Sequence, residues 1–216
     1  MRRSQSGFGL LEVTLALAIG LMMLAAASQL FASAHHSWRL QGAALQMQDD
    51  GRLALLRMAQ DIRMAGMFGC LRLGPSNFDN PAVKQVFDRP LEIGPSSLNL
   101  VVAELPGHFG APDWTLLTDC SDKAHVYNER HPNSEGLLAI PISRHRYVLN
   151  GSTLMFGRGN RAPQILIDHV RELRMTHVQA AQGERIDLQL TLYEPTLQLE
   201  QRHDLSVALR NPGSGS

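Results

Sequence analysis

The sequence predicts an α+β protein, with a long N-terminal helical spine followed by an antiparallel β-sheet head. Three observations carry that expectation. An apolar run without a charged residue extends from Val13 to Ala34. From Trp38 to Ala65, apolar residues recur instead at three- and four-residue steps. Beyond about residue 98 the chain breaks into short apolar or alternating segments bounded by turn residues, among them Asn150-Gly151.

The first element begins with Arg2 and Arg3, then Gly7, Phe8 and a long apolar segment interrupted early by Glu12. About 20 apolar residues suffice to cross a hydrocarbon core roughly 30 Å thick. An acid at the centre of such a helix costs about 2.5–3.5 kcal/mol on insertion scales. Three readings compete: a cleaved secretory signal, a plain membrane anchor, and a leader cut on its cytoplasmic side. A secretory signal has a shorter apolar core and a cleavage site beyond it. A plain anchor leaves Glu12 to snorkel at the interface. Arg2 and Arg3 set the N-terminus in the cytoplasm by the positive-inside rule, so the rest is expected to be exported.

The run Gly7-Phe8-Gly9-Leu10-Leu11-Glu12 resembles a type IV prepilin leader: a short basic peptide, Gly, an aromatic first mature residue, and Glu at mature position five. Where that family commonly carries Thr or Ser, this chain has Gly9. The resemblance implies cleavage by a prepilin peptidase between Gly7 and Phe8, and N-methylation of Phe8. It also implies that Glu12 is a subunit-docking residue, pairing with the Phe8 amine of a neighbouring subunit in a packed helical bundle. In that setting an unpaired carboxylate is penalised and a matched cation sets the register.

The spine continues through Leu40, Ala43, Ala44, Met47, Ala54, Leu55, Met58, Ile62 and Ala65, with polar residues between them. A helix from about Phe8 to Ala65 runs roughly 85 Å at 1.5 Å per residue. Gly20, Gly42 and Gly51 read as weak points within it, each costing up to about 1 kcal/mol relative to Ala. Residues 71–93, with Pro75, Pro81 and Pro90, read as an irregular linking loop. Strands are expected at 98–103, 114–118, 137–142, 146–150, 152–156, 164–167 and 171–178. Another is expected at 186–193, with a last one through Leu205, Val207 and Leu209. Ile186, Leu188, Leu190 and Leu192 alternate with polar residues, as in a sheet with one face on a core and one in water. That core partner is expected to be the amphipathic half of the spine.

The two cysteines, Cys70 and Cys120, stand 50 positions apart beside turn-like residues. An even count in an exported domain predicts a disulfide. Neither their spacing nor their surroundings fit a metal site. The 216 residues carry a formal net charge of zero, which gives no global attraction to nucleic acid or to a membrane surface. His35 and His36 are adjacent on a helix and do not face one site. No G-x-S-x-G, P-loop or HExxH is present, so no enzyme activity and no cofactor are expected. Arg144, Arg146, Arg158 and Arg161, with His145, cluster around the Asn150-Gly151 turn. They are a candidate contact surface for DNA or a partner, with a solvated turn as the simpler alternative.

The segment Gly51-Arg52-Leu53-Ala54-Leu55, followed by Asp61-Ile62-Arg63-Met64-Ala65-Gly66 and Cys70, resembles the end of the long helix in PilW-type minor pilins. Thr118-Asp119-Cys120 resembles that family's second cysteine segment. This likeness implies a type IV pilin fold in a subunit that primes assembly and sits at or near a pilus tip. Such pili support adhesion, twitching motility or DNA uptake. Implied partners are other minor pilins, the major pilin, a tip adhesin and the inner-membrane assembly platform. The J-type minor pseudopilin of type II secretion shares the spine and is the alternative. The expected organisation is a leader (1–7), a membrane and filament-core helix (8–34), the amphipathic half of the spine (35–66), a periplasmic head (67–210) and a flexible tail (211–216).

Overall fold

The computed structural model describes residues 9–104, 111–132, 136–180 and 183–210. The long apolar helix and the antiparallel sheets form the α+β architecture of a pilin-like fold. The leader and the tail 211–216 lie outside the described residues.

Helix α1 spans Leu10–Met64. The chain divides into two compact units, one ending at Gln46 and one beginning at Met47. In the first, the helix contains an 18-residue window of mean hydropathy 2.2 with none of it buried. In the second, Ala54, Leu55, Met58, Ala59 and Ile62 are buried on one face. The helix stops where Gly66 adopts φ +73°, a left-handed turn that favours glycine at a helix C-terminus. The Gly66 N–H donates to the Val101 carbonyl at 3.2 Å, tying the end of the helix to a strand that comes later in the chain.

The segment expected to be an irregular loop is ordered. A 3₁₀ turn covers Pro75–Asn77, helix α2 covers Pro81–Asp88, and strand β1 covers Leu91–Ile93. Helix α2 starts because the Asn80 carboxamide oxygen accepts the Ala82 N–H at 2.8 Å and Pro81 occupies the first turn. Its payload is Phe87, whose ring lies 4.5 Å from Phe68, 5.2 Å from Phe78 and 5.3 Å from Trp114. This aromatic cluster, with Val101 and Ile142, is a second, smaller core.

The other strands are β2 (Ser97–Ala103), β3 (Trp114–Thr118), β4 (Ala124–Tyr127), β5 (Leu138–Asn150), β6 (Thr153–Arg158) and β7 (Gln164–Ile167), followed by β8 (Val170–Ala180), β9 (Gly183–Glu194) and β10 (Leu199–Ala208). The two strands expected at 137–142 and 146–150 are one 13-residue strand, β5. It organises a seven-stranded sheet, pairing β2 along one side and β3, then β6, along the other. At the junction between β3 and β6, the Asp113 carboxylate accepts the Arg144 N–H at 2.8 Å. There too the Gly159 N–H donates to the Arg144 carbonyl.

Strands β8, β9 and β10 form a separate three-stranded antiparallel sheet. Ile186, Leu188, Leu190 and Leu192 are all buried, each contributing about 1.5–3 kcal/mol by leaving water. They belong to one cluster with Leu55, Met58 and Ile62 of α1 and Leu98, Leu100 and Tyr147 of the larger sheet. Gly51 is a packing position rather than a weak point: a Cβ there would lie 2.7 Å from the His203 ring on β10.

Candidate functional site

At the helix start, Gly7 and Phe8 lie outside the described residues, so their expected cleavage and methylation rest on the sequence. Glu12 is described. Its carboxylate accepts the Gly9 N–H at 3.2 Å, and its own N–H donates to the Gly9 carbonyl at 3.0 Å. Gly9 thus stands at the N-cap and Glu12 three residues in, which is one half of a capping box. Glycine has no side chain to supply the other half. Glu12 is exposed in the single chain.

Asp61 is buried where α1 meets the larger sheet. Its Oδ2 accepts the Tyr147 hydroxyl at 2.6 Å and lies 2.7 Å from His145 Nδ1. Because a carboxylate only accepts, Nδ1 carries the proton. His145 Nε2 lies 3.9 Å from the Glu104 carboxylate, within ion-pair range and beyond a hydrogen bond. Glu104 in turn pairs with Arg158 through both Nε and Nη2. Burial alone lowers the His145 pKa, but the Asp61 hydrogen bond and the Glu104 carboxylate raise it further, so it ends above its ordinary value. For Glu104, burial pushes upward and is outweighed by His145, Ser143 and Arg158, leaving a lowered pKa. Sequence reading missed this network because Asp61 and His145 are 84 positions apart.

Cys70 and Cys120 form a disulfide with Cα atoms 5.3 Å apart. The loop after β3 is shaped by Asp119, whose Oδ1 accepts the N–H groups of Ser121, Asp122 and Lys123 at 2.9, 3.1 and 2.9 Å. Those donors, Ser121 and Lys123 foremost, hold its carboxyl well below the usual range. Cys120 itself has φ +61°, so its local turn is fixed by these bonds as well as by the disulfide.

The arginine cluster divides between two faces. On β5, Ser143, His145 and Tyr147 turn inward and Arg144 and Arg146 turn outward. Arg158 pairs across from His145, so it shares the inner face and is held by Glu104. Arg144 and Arg146 instead line a groove of about 500 Å³ with Arg161, from the turn after β6, and Arg89, at the end of α2. The Arg144 guanidinium lies 4.8 Å from the Trp114 ring centroid. Among the described residues, Glu92 is the one carboxylate in the groove lining. His145, grouped by sequence with the exposed arginines, is buried. Among the described residues, no group of three or more His, Cys, Asp or Glu side chains is placed to hold a metal ion.

Residues 2–28 match the prokaryotic N-terminal methylation motif, the prepilin-type leader with its following apolar helix. No curated protein and no solved structure matches the chain. The matched motif supports a type IV pilin-like protein, processed by a prepilin peptidase. With the apolar part of α1, it points to membrane anchoring and pilus-type assembly.

Proposed function

We propose that this chain is a non-enzymatic minor pilin of the PilW type, which primes assembly of a type IV pilus and stays at or near its tip. The observation that carries the reading is the leader motif matched over residues 2–28 together with a helix, Leu10–Met64, that contains the apolar part of that match. Support for the PilW type comes from the residues that follow. Asp61 joins the helix to the sheet, Gly66 ends it, and Cys70 ties the next segment to Cys120. In this reading the apolar half packs among other subunits and the head presents the contact surfaces. Partners are the prepilin peptidase, the assembly platform, the other minor pilins, the major pilin and a tip adhesin.

The test has two arms. Mass spectrometry of the mature protein is expected to find methylated Phe8 at the N-terminus; an intact Met1, or cleavage beyond residue 30, rejects the pilin reading. Deleting the chain in its host is expected to remove surface pili while the major pilin persists in the membrane. Intact pili together with lost protein secretion would reassign it to a type II secretion pseudopilus.

A further inference from the structure

Four arginines from three separate parts of the head converge on one groove. Arg89 closes α2, Arg144 and Arg146 stand on β5, and Arg161 sits on the turn after β6. Elsewhere in the head, Arg158, Arg171, Arg174, Arg185 and Arg202 each have a carboxylate within 4.0 Å. None of the four groove arginines has such a pair among the described residues. Among the described residues these four like charges have Glu92 in the lining and Asp113 at the Arg144 N–H as nearby carboxylates; they repel one another, and an arriving anion relieves that repulsion.

We propose that this groove is a docking site for an acidic peptide segment of a partner protein, one that presents alternate Asp or Glu side chains in extended conformation. The spacing fits. Arg144 and Arg146 are two residues apart on the outward face of a strand, so their Cα atoms are separated by about 7 Å, the repeat of alternate side chains in an extended peptide. A guanidinium can hold a carboxylate through two parallel N–H bonds, and planar recognition of this kind favours Arg over Lys. Stacking on Trp114 restricts Arg144 before any ligand arrives, which lowers the entropy lost on binding. Glu92 and Asn99, paired across β1 and β2, leave acceptors and donors for the peptide backbone beside the arginines.

A nucleic acid fits the groove less well. Among the described residues no Phe, Tyr or Trp lines it, so these offer no platform for base stacking. The chain as a whole has no net positive charge to gather a long polyanion.

The site does not rest on the filament reading, and its test is made on single molecules outside any filament. The full chain in detergent micelles is titrated against a fluorescent octapeptide of alternating Glu and Gly, followed by anisotropy. Binding at low salt is expected to weaken as salt rises and to be absent for the matching Gln and Gly peptide. Arg144→Gln with Arg146→Gln should weaken it roughly tenfold or more through lost charge-assisted bonds. Arg89→Gln with Arg161→Gln, changed at a helix end and a turn, should weaken it in the same direction and guards against a folding defect in the strand variant. Arg174→Gln on β8 should leave it unchanged. No binding at low salt overturns the proposal. So does wild-type affinity retained in both groove variants, or single-stranded DNA that binds through these arginines while the peptide does not.

Discussion

Asp61 on the helix and His145 on the central strand meet at 2.7 Å, 84 positions apart in sequence and both almost fully buried. The Tyr147 hydroxyl donates to the same carboxylate oxygen at 2.6 Å. The two donors lie two residues apart on the inner face of β5, and the acceptor lies about one turn before the helix ends at Met64. A shift of the strand by one residue would turn both donors outward and leave the buried carboxylate with Arg57 of its own helix, at 3.9 Å, in place of two hydrogen bonds, so the pair fixes register as well as contact.

Asp61→Ala is therefore expected to lower the stability of the head by about 3 kcal/mol, because it strands two buried polar groups. Tyr147→Phe removes one donor and keeps the shape, so about 1 kcal/mol is expected. Denaturant unfolding of the full chain in micelles, followed by near-ultraviolet circular dichroism, reads both. Equal losses for the two variants would contradict a shared acceptor.

The same network sets a pH window. The His145 pKa is raised above its ordinary 6.5, so its contribution is complete below that pH and is lost as pH rises through the folded value. Glu104 is lowered from 4.5, so its contribution is present above that pH and is lost as pH falls through the folded value. Maximal stability is expected between the two. Melting temperatures of the wild type should fall from about pH 6.5 toward alkaline pH, and His145→Gln should flatten that limb. A wild-type melting temperature that rises over the same interval would refute the assignment.

Gly51 faces the His203 ring across a space too small for a methyl group. Replacing a mid-helix Gly with Ala ordinarily gains up to about 1 kcal/mol. Here Gly51→Ala is expected to destabilise by about 1 kcal/mol instead, through overpacking against the β10 side chain. Adding His203→Ala should recover the helix gain. A double-mutant cycle of chemical unfolding measures the coupling, and simple additivity of the two changes would exclude the contact.

Much of the fold was legible because single periods run through it. The stripe at Ala54, Leu55, Met58 and Ile62 and the alternation from Ile186 to Leu192 each point one way, and each is buried as its period requires. The polar run Ser143-Arg144-His145-Arg146 predicts an interruption within β5. The strand is continuous because Ser143 and His145 turn inward, where Asp61 and Glu104 await His145. Helix α2 was hidden by three surrounding prolines, although Asn80-Pro81 was a readable cap. Arg158 was grouped with Arg144 and Arg146 because nearness in sequence does not reveal parity. Only its pairing with His145 puts it on the inner face. Arg89 was missed because it joins the groove from α2, 55 positions before Arg144.

Glu12 now carries two roles that a choice of substitution separates. Within one chain its carboxylate accepts the Gly9 N–H and supports the helix start. In the assembled filament, on the proposed function, it pairs with the Phe8 amine of a neighbour and sets the register of packing. Glutamine keeps an oxygen that can accept the Gly9 N–H and removes the charge; leucine removes both. Glu12→Gln and Glu12→Leu are both expected to enter the membrane, since each removes a charge from the apolar segment. Both should fail to join the filament, because a neighbour's amine would then be left without a counter-charge in an apolar bundle. Sheared pili probed for this chain, beside membrane fractions, give the two readings. Normal incorporation of Glu12→Gln, with loss confined to Glu12→Leu, would leave Glu12 as a helix cap and remove its role as a charge partner.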